Sequence, residues 1–144
     1  MDYKLFQEKI KDSSIDELMN IQQECLLTIR PSLVAISKKV EIDINKSFFL
    51  FCMSCVICDN FVSDNEYLLI KKFIKINVSK SEVQDYATEL NKDNHLLDFS
   101  KELVNLVGQV TKEGKEELIK FAICFLCADG LSEEKNNFLN QLIN

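Results

Sequence analysis

Residues 48–66 read FFLFCMSCVICDNFVSDNE. Between Phe48 and Cys58 there is no charge, and Ser54 is the one polar residue besides the cysteines, so a helix here is apolar nearly all round and belongs in an interior. The run is far short of the roughly 20 residues that span a bilayer. It ends in a turn that carries Asp59, Asp64 and Glu66. A buried helix followed by an acidic turn is a distinctive unit, and its recurrence decides the architecture.

It recurs near the C-terminus. Residues 48–74, FFLFCMSCVICDNFVSDNEYLLIKKFI, align with residues 117–143, ELIKFAICFLCADGLSEEKNNFLNQLI. Each copy is an apolar helix, an Asp, a short turn, a Ser, acidic residues and an amphipathic helix. Asp59 matches Asp129 and Ser63 matches Ser132, while Leu69, Ile70 and Phe73 match Phe138, Leu139 and Leu142; the second turn is one residue shorter. Two αα-hairpins that pack together bury both apolar helices at the centre. Phe51, Val56, Phe121, Phe125 and Leu126 are the expected core.

The rest of the chain is also helical in pattern. Ser14 and Glu17 form a capping box ahead of Ile15, Leu18, Met19, Cys25, Leu26 and Ile29, and this helix is expected to break or kink near Pro31, which has no amide hydrogen to donate. Ser79 and Glu82 repeat the capping pattern before Val83, Tyr86, Ala87 and Leu90. Asp93 or Asn94 can cap a segment carrying Leu96, Phe99, Leu103, Leu106, Val107 and Val110. No stretch alternates with period two, so no strands are expected. The reading is all-α: one domain over residues 1–144, a bundle of about seven to nine helices built around the two hairpins. The motif-bearing part is 46–144, with N-terminal helices within 2–38.

Composition agrees, since 47% hydrophobic residues with only three Gly and one Pro in 144 suit a compact helical chain. The net charge of −6 argues against nucleic acid as a partner, because phosphate binding depends on clustered Lys and Arg. The charged N-terminal stretch MDYKLFQEKIKDSS lacks the apolar region of a secretory signal. A cytoplasmic location is expected, with the six cysteines held as reduced thiols.

The paired stretches CDNFVSDNEYLLI and CADGLSEEKNNFL resemble the Asp-Gly-x-Ser/Asp-x-x-Glu hairpins of TerB-like proteins, the helical family named for tellurite resistance. The resemblance covers about residues 46–144. It implies an all-α bundle, no established catalytic activity, a stress-response or metal-sensing role, and acidic motif residues at Asp59, Glu66 and Asp129. Two positions depart from the pattern: Asn60 replaces the first Gly, and Lys135 stands where the second Glu is expected. With Pro31 as its only proline and His95 its only histidine, the chain also lacks the His-Pro-Asp signature of the DnaJ-type co-chaperones in which such domains occur.

The cysteines offer a second chemistry. On one helix Cys52 and Cys58 are separated by about 9 Å of rise at 1.5 Å per residue. They cannot close with Cys55 round one tetrahedral ion, whose sulfur bonds are near 2.3 Å. Cys124 and Cys127 could supply the missing ligands. In the repeat alignment, however, they fall opposite Ser54 and Ile57, so the two sets are expected to point in different directions. Packing as small hydrophobes is the simpler reading, with a metal or redox set of Cys52, Cys55, Cys58, Cys124 and Cys127 as the alternative.

In the turns, capping accounts for Ser63, Glu66, Ser132, Glu133 and Glu134. Asp59 and Asp129 end helices, where the dipole disfavours a negative charge, so they are either turn formers or sites for a cation or a basic partner. An EF-hand is excluded because Phe61 and Leu131 stand at its third ligand position. His95 has no motif partner for nucleophilic catalysis, and no phosphate-binding glycine pattern occurs. The expectation is a non-enzymatic module with a protein partner, no membrane span and no required cofactor. A weak divalent cation at Asp59, Glu66 and Asp129 is the open alternative for the turns.

Overall fold

The structure, a computed structural model, describes residues 1–73, 77–92 and 95–144. Among these residues there are eight helices and no strands, as the absence of alternation predicts. In chain order they are α1 (Tyr3–Ile10), α2 (Ile15–Ser37), α3 (Ile44–Ile57), α4 (Asp64–Phe73), α5 (Lys80–Leu90), α6 (His95–Val110), α7 (Lys112–Leu126) and α8 (Glu133–Ile143). The capping signals set most starts: Ser14 and Glu17 form a complete capping box on α2, and Ser79 caps α5 by accepting from the Glu82 amide. The candidate caps Asp93 and Asn94 lie outside the described residues, as does Ile74 at the end of the first repeat.

The repeat is realised as two hairpins, α3 with α4 and α7 with α8. In α3 every residue from Phe51 to Ile57 is buried, and in the second copy so is every residue from Phe121 to Cys127. These are closely matching stretches of the two copies. Phe51, Val56, Phe121, Phe125 and Leu126 are all fully buried in one hydrophobic core that runs from Ile10 to Leu142. Around Phe121 the rings of Phe48, Phe73 and Phe125 sit with centroids 5.2–5.3 Å away, tilted or edge-on, the arrangement that aromatic quadrupoles favour. α7 is the central helix, packed on α2, α6, α3 and α8. No described helix is long and apolar enough to cross a membrane.

Pro31 does not break α2, contrary to the expectation from its missing amide. The helix runs on to Ser37 because Pro31 lies on the exposed side, where water can satisfy the carbonyl it leaves free, while Leu26, Ile29, Leu33 and Ile36 bury the opposite face.

Candidate functional site

The first acidic turn is built by local chemistry. α3 ends at Ile57 with Cys58 as its C-cap, and Asn60 turns the chain with φ of 66°, a left-handed conformation that Asn tolerates better than most residues. Gly130 does the same in the second turn with φ of 86°. Asn60 thus supplies the left-handed turn that the Gly of the pattern would supply. Asp59 accepts from the Phe61 amide at 3.2 Å, an Asx turn. Gln84 of α5 clamps the same turn, accepting from the Val62 amide at 2.7 Å and donating to the Asn60 carbonyl at 3.3 Å.

The two turns are joined. Ser63 donates its hydroxyl hydrogen to Asp129, and Asn65 donates to Asp129 at 2.7 Å and to the Ala128 carbonyl at 3.3 Å. Asp129 is thus the acceptor that ties the second turn to the start of α4. The relation is one-sided, since among the described residues Ser132 makes no bond to Asp59.

Beneath this surface lies a buried ion pair. Glu66 completes the capping box at Ser63, accepting from its amide at 2.9 Å while the Glu66 amide donates to the Ser63 hydroxyl at 3.1 Å. Its other carboxylate oxygen, Oε2, has no hydrogen-bond partner and faces Lys135 Nζ at 3.8 Å. The two side chains are only 1% and 5% exposed. Burial pushes the Glu66 carboxyl up to about 7, with the Ser63 amide and the Lys135 ammonium opposing the rise and Asp59 adding to it. Lys135 holds the place in the second copy that Glu66 holds in the first, so the departure from the repeat pattern supplies the counter-ion. Ser132 keeps only half of the capping box, accepting from the Lys135 amide at 3.2 Å.

Other acidic residues face outward. Asp64, Glu133 and Glu134 are exposed and Asp59 is half-buried; Phe61 and Leu131 of the same turns expose 58% and 36% of their surface. Lys80 Nζ pairs with Asp64 at 2.9 Å and lies 5.2 Å from the centre of the Phe61 ring.

The thiols are separate from this surface. Cys52, Cys55, Cys124 and Cys127 are buried and Cys58 is half-buried; no cysteine is in a disulfide. Burial raises every one of these thiols, Cys127 to about 11 and Cys58 and Cys124 to about 12. Cys124 neighbours Cys25 of α2, a residue outside the expected set, whereas Cys55 neighbours Cys52 and Cys58. Among the described residues no three His, Cys, Asp or Glu side chains gather in a way that could hold a metal ion, whether drawn from the thiols or from Asp59, Glu66 and Asp129. His95 is exposed at the start of α6.

The chain matches no protein-family model, no curated protein and no solved structure. The geometry of the turns is what carries a functional reading. Three contributors to them have no motif signal: Asn65, Gln84 and Lys80. Asn65 was legible only as a polar residue in a helix's first turn, and Gln84 and Lys80 reach the turn from another helix.

Proposed function

We propose that the protein is a non-enzymatic helical interaction module whose joined acidic turns receive a basic segment of a partner protein. Lys80 carries this reading. At the first turn its ammonium is held by a carboxylate, Asp64, and by the face of an exposed apolar residue, Phe61. The second turn presents the equivalent pair, Glu133 and Leu131, and among the described residues neither Glu133 nor Glu134 has an ion-pair partner. A partner's Lys or Arg next to an apolar side chain finds there a carboxylate and an apolar surface, as Lys80 does at the first turn. The resemblance to TerB-like hairpins supports a stress-response setting, with tellurite resistance as its named example.

A divalent cation is the weaker reading of the same turns. Lys135 already places an ammonium against Glu66, and Asp129 is engaged by Ser63 and Asn65. The thiol reading is weaker still: among the described residues no three thiols gather to hold a metal ion, and redox attack needs a thiolate, which burial disfavours at each of the five cysteines.

The test is an NMR titration of the labelled protein with a synthetic peptide of alternating Lys and Leu, with calcium and magnesium chloride as separate arms. We expect saturable shifts at Leu131, Glu133 and Glu134, weakened by added salt and by the Glu133→Gln/Glu134→Gln double variant. Shifts driven by the metal salts and not by the peptide overturn the proposal, as does peptide binding indifferent to the double variant.

A further inference from the structure

Away from the turns, residues of α2 and α3 line a groove of about 720 Å³, within the usual size range of small-molecule sites. Leu26, Leu33 and Val34 form one wall, Phe48 and Phe49 the other, and Phe73 of α4 borders the groove as well. Among the described residues, two polar side chains with strong hydrogen-bonding groups reach it, Arg30 and Asn45, and no carboxylate lines it. Arg30 is the only arginine in a chain that otherwise uses lysine, and among the described residues it makes no ion pair. Its planar fork of donors matches a carboxylate, which the compact ammonium of lysine does not.

We propose that this groove binds a monocarboxylic acid with an unbranched apolar tail, a medium-chain fatty acid, with the carboxylate on Arg30 and Asn45 and the tail along Phe48 and Leu33. Complementarity selects this occupant: apolar walls take the tail, and one guanidinium beside one amide takes a single negative charge. The net charge of −6 on the chain disfavours a dianion such as a phosphate monoester, which would meet that repulsion twice with Arg30 as the one cation among the described lining residues. An amphipathic helix is a poorer fit. The lining residues on α2 run only from Leu26 to Val34, about 12 Å at 1.5 Å per residue, or little more than two turns.

The probe is decanoate, below the concentration at which it forms micelles, titrated into the labelled full chain and compared with decanol and decyl phosphate. We expect saturable one-to-one binding with shifts at Ile44, Phe48 and Leu33, and affinity for decanoate about five- to tenfold above that for decanol. Arg30→Gln should remove that difference, lowering decanoate to about the affinity of decanol. Val34→Asp, at a rim position 44% exposed and outside the fully buried core, should weaken decanoate at least tenfold through like charge. Absence of saturable binding, an Arg30→Gln variant that keeps the full preference for decanoate, or a preference for decyl phosphate overturns the proposal. So does a set of shifts that falls outside the groove.

Discussion

Glu66 and Lys135 occupy the same position in the two repeats, the third residue after a capping serine, and they meet in the interior with Oε2 and Nζ 3.8 Å apart. The distance is too long for a good hydrogen bond, so the attraction is Coulombic and is largely offset by the desolvation of both groups. The pair matters most when half of it is removed.

At pH 8, Lys135→Met is expected to destabilise the protein by roughly 3 kcal/mol, because it leaves a buried carboxylate without a counter-charge. The double variant Glu66→Gln/Lys135→Met should lie closer to wild type than the single one. Urea unfolding of the four members of the cycle measures this; additive effects would mean that the two residues do not interact.

The raised Glu66 carboxyl also fixes the sign of a pH dependence. In the unfolded chain it releases its proton near pH 4.3, as an ordinary Glu does, whereas in the folded protein it keeps it until about 7. Its protonation therefore favours folding fully at acid pH, and that contribution is lost as pH rises through 7. The change should amount to a few kcal/mol, since each tenfold difference in proton affinity between the folded and unfolded chain is worth about 1.4 kcal/mol. Subtracting the unfolding profile of Glu66→Gln from that of wild type isolates it; a difference that is flat from pH 5 to 8 contradicts the assignment.

For the thiols, Cys52→Ala should be mild, since the second copy already has Ala122 there in an equally buried position. Cys55→Ser should cost about 1–3 kcal/mol unless its hydroxyl finds a partner. In alkylation of the native protein at pH 8 Cys58, the one half-buried thiol, should react first, and all should react slowly. Rapid modification of Cys55 without unfolding would count against packing as its role.

Pro31→Ala should stabilise α2 by about 1–3 kcal/mol, because the backbone there is already helical and alanine restores the missing amide. A lower melting temperature in the variant would show that Pro31 is held by some contact of its own.

Asp129→Asn is expected to weaken the junction of the turns by about 1 kcal/mol, since the amide retains a weaker acceptor for Ser63 and Asn65 and loses the charge. Asp59→Asn should leave stability within about 0.5 kcal/mol, because its single bond to the Phe61 amide survives as an Asx turn. Matching thermal melts rank the two; an equal loss in both would assign Asp59 a partner beyond its own turn.

Much of the fold was legible because it is written in local signals. The capping serines set helix starts, and the apolar runs at Phe51–Ile57 and Phe121–Cys127 recur at nearly the same place in each copy. Pro31 misled because sequence shows the lost amide and not which side of the helix faces water. The acidic turns were visible as two segments, and their joining through Asp129 was not. Nor was the pairing of Glu66 with Lys135: Lys135 reads as a departure from the repeat until the copies are brought face to face. Gln84 and Lys80 act on the first turn from a separate helix, and no spacing rule reports such a contact.

The unlike pair between the repeats also bears on how copies of the chain can exchange parts. If α4 with its hairpin packed against the same hairpin of another molecule, two carboxylates would be brought together in the interior. Two α8 hairpins would bring two ammonium groups together. Either like-with-like assembly buries a repulsion, while the pairing of first hairpin with second buries an attraction. The mismatch at one position thus makes the halves of the molecule distinguishable to each other, and above pH 7 it favours a swapped dimer that joins a first hairpin to a second one over one that joins like to like.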